Sequence, residues 1–340
     1  MKQKKCLGCG VLLQNSAKEL PGFVQKLDQD YCQSCFRLKH YRDFKRVKQD
    51  VDTNETNVFI ENFKGYIFWV VDIMHLHQSL HQGLIRSLNQ KNVVLLINKR
   101  DLLPNSVSDN KLKQGIQSIL KDYHIRLQEV LFVSANKRQT LEPLLPYIMD
   151  APCAFVGCVN AGKSSLLNTL LKDDTLSVSP VSSTTAGIIK LENEHFELYD
   201  TPGILSETPL VNKFTEKNLI QLAPSKTIKP NVHQIYQKQA IMLGNLGYIE
   251  LEPQTKVNVV SYLPFSVKRV KPDRAEANLK IDHEFMIENP KYRQRTWRID
   301  HHRIDIEIFD VGFISIQGEL KTLKTVMDKE ADIIIRKALI

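Results

Sequence analysis

The sequence predicts an α/β protein. A mostly parallel sheet should form its centre, with a small cysteine-bearing segment before it and a mixed, β-containing domain after it. Three observations carry this. Short apolar runs at 66–71, 93–97, 130–133, 153–156, 188–191 and 196–199 alternate with stretches of helical spacing at 111–123 and 163–172. The runs are near-continuous, as expected for strands covered on both faces. Four of the six cysteines form two C-x-x-C pairs within the first 50 residues, and the pattern changes again after residue 204.

Residues 1–50 form the first expected domain. Cys6-x-x-Cys9 and Cys32-x-x-Cys35 are separated by 22 residues, and Gly10 lets the backbone turn its N–H groups toward a thiolate. Four thiolates would close a tetrahedral structural Zn²⁺ site with no position open for chemistry. The competing reading, two redox or disulfide pairs, suits an oxidising compartment better than this chain. The basic start, Met1-Lys2-Gln3-Lys4-Lys5, leads into Cys6 without an apolar core, so no secretory signal is expected. No apolar stretch approaches the ~18 residues of a membrane span, and a cytoplasmic protein without a membrane partner is expected.

The net charge of +8 is concentrated at the two ends of the chain. Residues 1–50 hold 11 Lys or Arg against 5 Asp or Glu, and residues 205–340 hold 21 against 17. Arg37, Lys39, His40, Tyr41, Arg42, Lys45, Arg46 and Lys48 follow the last paired cysteine. As a helix this stretch would track a phosphate backbone, and equally it reads as a solvated face.

Residues 51–210 carry the chemistry. Gly157-Cys158-Val159-Asn160-Ala161-Gly162-Lys163-Ser164 follows the run 153–156 and opens a helical stretch. In that context it is a phosphate loop: backbone N–H groups, including those of Ala161, Gly162 and Ser165, face phosphate oxygens at a helix N-terminus. Lys163 should reach the β/γ-phosphates, and the Ser164 hydroxyl should ligate Mg²⁺. Asp200-Thr201-Pro202-Gly203 follows another run; Asp200 suits Mg²⁺ and the Gly203 N–H suits a γ-phosphate. Thr185 is the candidate threonine for closing on Mg²⁺, with Thr184 as its alternate.

Two strings select the base. In Asn98-Lys99-Arg100-Asp101 the Asp101 carboxylate can accept from the N1–H and exocyclic amine of guanine, a donor pair that adenine lacks. The Lys99 stem can lie along the purine, and Asn98 can brace the loops. Ser134-Ala135-Asn136 can present a backbone N–H to the guanine O6. GTP, cycling with GDP, is therefore the expected nucleotide.

These base-reading strings precede the phosphate loop, the reverse of the usual order. The five motifs resemble those of TRAFAC-type GTPases, and their order resembles the circularly permuted subgroup. With the four cysteines, the chain resembles YqeH-type ribosome-assembly GTPases. That resemblance implies a circularly permuted GTPase domain between a zinc finger and an RNA-binding C-terminal domain. It implies a cytoplasmic factor for small-subunit maturation, binding rRNA or a ribosomal protein in a nucleotide-dependent way. It also implies that Asn160 holds a K⁺ beside the phosphates, supplying charge as an arginine finger does elsewhere. Lys163, Asn160, Thr185 and Gly203 would then be the hydrolytic set.

Two positions depart from common patterns. Ser183 stands where a glycine is expected before the threonines. Ile204 stands where Ras-like proteins have a water-orienting glutamine, so intrinsic hydrolysis should be slow. A GTP-liganded RNA-binding scaffold with little hydrolysis is the alternative reading.

Residues 211–340 form the third expected domain, with strands at 257–263 and 304–316 and a closing helix at 320–340. His75, His77 and His81 lack the Cys or carboxylate partners of a metal set and read as surface residues. Cys153 and Cys158 read as packing residues.

Overall fold

The structure is a computed structural model that describes residues 53–121, 123, 125–171, 180–183, 187–206 and 208–340, with isolated positions before residue 53. Cys6, Cys9, Cys32, Cys35, the basic stretch after them, Thr184 and Thr185 lie outside the described residues.

The first sheet has seven strands: β1 (Tyr66–Asp72), β2 (Asn92–Asn98), β3 (Leu127–Phe132), β4 (Cys153–Gly157), β5 (Pro180–Ser183), β6 (Ile189–Glu192) and β7 (Glu197–Asp200). Their order is β3-β2-β1-β4-β7-β6-β5. The pairs β2–β3, β1–β2, β1–β4 and β4–β7 are parallel, while β6 pairs antiparallel with both β5 and β7. All six expected runs are strands, and the continuous apolar character has its expected cause. Ile67, Trp69 and Val71 enter one buried cluster, while Phe68 and Val70 enter another on the opposite face. The helices Asp109–Lys121 and Lys163–Leu170 match the two stretches of helical spacing.

Register puts the functional strings on one rim. Asp72 at the end of β1 lies opposite Asn98 at the end of β2, and β4 ends at Gly157 beside β1. The rim at the carboxyl ends of parallel strands is where α/β sheets bind ligands.

Ten further strands follow: β8 (Asn231–Ile235), β9 (Gln239–Met242), β10 (Gly247–Pro253), β11 (Val257–Tyr262), β12 (Lys268–Val270), β13 (Tyr292–Trp297), β14 (Arg303–Ile308), β15 (Gly312–Gln317), β16 (Leu320–Asp328) and β17 (Ile333–Lys337). They form two five-stranded sheets, β12-β9-β10-β16-β13 and β17-β14-β15-β11-β8. Ile249 and Leu251 of one sheet and Ile306 and Ile314 of the other share a buried cluster, so the sheets form a sandwich.

Two expectations need correction. The span 304–316 is a hairpin, β14 and β15, turning through Asp310 at φ +64°. The span 320–340 is not a helix but β16 and β17. Thr322, Thr325 and Val326 in β16 and the run Ile333, Ile334, Ile335 in β17 are β-branched, and β-branched side chains pack best on a pleated surface.

Candidate nucleotide-binding site

The phosphate loop curls between β4 and the helix Lys163–Leu170. Asn160 adopts φ +65° and Gly162 φ +96°. A Cβ on Gly162 would collide with the Asn98 side-chain nitrogen. That approach is used: Asn98 Nδ2 donates to the Ala161 carbonyl at 2.8 Å, tying the loop after β2 to the phosphate loop. Asn98 is itself buried.

Lys163 is buried, and its Nζ donates to the Gly157 and Cys158 carbonyls, both at 3.0 Å. Burial lowers its pKa, against the opposing field of Asp200. The Ser164 hydroxyl donates to Asp200 Oδ2 at 2.6 Å. Burial raises the Asp200 pKa, partly offset by Ser164 and Lys163. Asp200 Oδ1 is buried and has no hydrogen-bond partner among the described residues. Gly203 lies so close to the loop that a Cβ would sit 2.8 Å from Val159 Cα. The next residue joins the loop directly: the Val159 N–H donates to the Ile204 carbonyl at 2.8 Å.

At the base-reading end, Asn136 Nδ2 donates to Asp101 Oδ2 at 3.0 Å. The Ser134 hydroxyl accepts the Asn136 N–H at 3.1 Å, and the Ala135 carbonyl accepts Thr169 Oγ1 at 2.9 Å. A cavity of about 340 Å³ has Lys99, Asn160, Ala161, Gly162 and Ser165 in its wall. The structure thus gathers Asn98, Lys99, Asp101, Ser134, Ala135, Asn136, the phosphate loop, Asp200 and Gly203 along one rim.

Two supporting residues were missed. Asp72 accepts Lys99 Nζ at 2.6 Å and caps the following turn through the Met74 N–H at 2.9 Å. Thr140 accepts the Ser134 N–H at 2.9 Å. An aspartate closing an apolar run was the available signal for Asp72.

His77 is not a surface residue. Arg336 Nη1 donates to its Nδ1 at 3.0 Å, and its backbone N–H donates to Glu307 at 3.1 Å. Cys153 and Cys158 are buried free thiols, and burial pushes the Cys153 pKa up to about 12. No group of three or more metal-ligating side chains occurs among the described residues, and no described helix is long and apolar enough to cross a membrane.

A glycine loop at a helix N-terminus, braced by Asn98 and with the Ser164–Asp200 pair beside it, fits a GTP-hydrolysing enzyme. Residues 152–245 match the family described as 50S ribosome-binding GTPase. Over its full length the chain is similar to YqeH of Bacillus subtilis, at 26% identity with 100% of both chains covered. It is 31% identical over 117 residues to the small ribosomal subunit biogenesis GTPase RsgA of Bacillus cereus, covering 34% of this chain and 38% of the relative. The solved structure of YjeQ from Thermotoga maritima aligns at TM-score 0.29 and 21% identity, over 49% of this chain and 58% of that one.

Proposed function

We propose that this chain is a GTP-hydrolysing ribosome-assembly factor that engages the small-subunit precursor through rRNA according to its bound nucleotide. The observation that carries the reading is the Asn98–Ala161 hydrogen bond, which joins two strings 63 residues apart. The role named for RsgA and the description of the family matched by residues 152–245 support the ribosomal setting.

In this reading Asp101 and the Ser134–Ala135 backbone select guanine, while Lys163 exchanges its two carbonyl partners for β/γ-phosphate oxygens. Ser164 and Asp200 fit a Mg²⁺ site, since the buried Asp200 Oδ1 lacks a partner among the described residues and the Ser164 oxygen lies 2.6 Å from Oδ2. Bound Mg²⁺ would neutralise phosphate charge, with Thr185 as the further ligand that the sequence suggests. Gly203 offers its N–H to the γ-phosphate, and Asn160 holds K⁺ at the phosphates. Cys6, Cys9, Cys32 and Cys35 would hold a structural Zn²⁺ through four thiolates, and the C-terminal sandwich would contact RNA.

One observation favours the scaffold alternative. Ile204 is buried, its side chain packed in the core, and cannot orient a water. Unstimulated hydrolysis is therefore slow. GTP turnover measured alone, with small subunits and with large subunits in K⁺ buffer separates the readings. Stimulation by small subunits supports the proposal, stimulation by large subunits alone redirects it, and no stimulation leaves the scaffold.

A further inference from the structure

The segment leading from the first sheet to the sandwich runs past the base-reading loop and bonds to it twice. Thr227 Oγ1 donates to the Asp101 carbonyl at 2.8 Å. The Ile228 N–H donates to the Leu102 carbonyl at 2.8 Å. Ile228 is then buried in the cluster that also holds Leu102 and Leu103. Just upstream, Leu222 and Pro224 stand in the wall of the cavity that Lys99 and Gly162 also line. The backbone that carries the Asp101 carboxylate is therefore held from outside the sheet to which it belongs. Asn136 aims the carboxylate itself.

We propose that Thr227 and Ile228 are positioning residues for guanine recognition, so that the connection to the sandwich forms part of the base-reading apparatus. The inference rests on the GTP reading above. Asp101 distinguishes guanine by accepting two hydrogen bonds from a rigid edge, and a carboxylate on a loosened loop keeps one more easily than two. Holding two successive carbonyls removes the backbone freedom that would let Asp101 swing. Linkage makes the effect reciprocal: a partner that displaces the connection weakens guanine binding, and bound guanine nucleotide holds the connection in place.

Inosine lacks the exocyclic amine, so the GDP-to-IDP affinity ratio reads the second Asp101 hydrogen bond. The test is binding of fluorescent GDP and IDP to the full chain and to Thr227→Val, Thr227→Ser and Ile228→Ala. Thr227 is exposed, and valine keeps its shape, so Thr227→Val should fold. The expected result for Thr227→Val is GDP affinity about three- to tenfold lower, IDP affinity lowered less and a contracted ratio. Thr227→Ser should keep the native ratio, and Ile228→Ala should contract it. A Thr227→Val ratio equal to native overturns the inference, as does an Ile228→Ala variant that melts earlier with its ratio unchanged. Native protein that binds neither nucleotide overturns the GTP reading itself, and this inference with it.

Discussion

Gln78 and Asp310 hydrogen-bond each other in both directions. Gln78 Nε2 donates to the Asp310 carboxylate, and the Asp310 backbone N–H donates to Gln78 Oε1 at 2.8 Å. Gln78 follows β1, whereas Asp310 is the tip of the β14–β15 hairpin. The same carboxylate accepts the Thr208 N–H at 2.9 Å and hydroxyl at 2.7 Å, eight residues beyond Asp200. On the other side, the thiol of Cys158 in the phosphate loop faces the Gln78 and Ser79 carbonyls at 3.8 and 3.5 Å. Phosphate loop, post-Gly203 segment and sandwich therefore meet around one residue, Gln78.

Gln78→Ala leaves both the Asp310 N–H and part of its carboxylate without partners. Loss of about 1–3 kcal/mol of stability is expected, measured by urea unfolding. A native midpoint in the variant would show that water replaces the amide without cost.

Gly162→Ala places a methyl group against Asn98 and onto a φ of +96°. It should lower nucleotide affinity more than about tenfold, because strain and loss of the Asn98 brace fall on the same loop. Titration with fluorescent GDP checks this, and near-native affinity would mean that the two loops bind independently.

Glu307 gives a pH prediction. Burial alone would raise its pKa, but the Arg336 guanidinium and His77 outweigh it and hold the carboxyl at about 2. A depressed folded-state pKa stabilises above the unfolded value of 4.5 and loses that contribution as pH falls toward 2. Asp305, raised by burial, titrates in the opposite sense, so comparison with Glu307→Gln isolates the effect. The native advantage over Glu307→Gln should shrink across this window in thermal melts; a constant gap would contradict it.

K⁺ should raise GTP turnover well above Na⁺, and Asn160→Ala should erase the difference. Equal rates for native protein in the two salts would remove the K⁺ site from the mechanism.

Elemental analysis of native protein should find about one zinc per chain. Serine replacement of Cys6 and Cys9 should abolish it. Zinc-free native protein would leave the cysteines to another role.

The site was legible because its chemistry is local. Gly157 to Ser164 needs only its own strand, turn and helix, and Asn98 to Asp101 needs only a strand end. The sandwich was harder to read. In 320–340, Lys321, Lys324 and Lys329 mimic an exposed helical stripe, while β16 has no clean alternation and takes its burial from pairing with β10 and β13. His77 was illegible for a different reason. Its partners lie 230 and 259 residues away, and no periodicity reports a contact at that range.

The early place of β1 in the chain has a consequence for synthesis. The strand flanked by β2 and β4 emerges before either, so β1, β2 and β3 can pair while the phosphate loop is still unmade. A nascent chain at that stage has the guanine-reading loops and no cradle for the phosphates. Nucleotide can bind only after the late loop has docked on the early strand, and it then adds to the stability of the finished assembly by mass action.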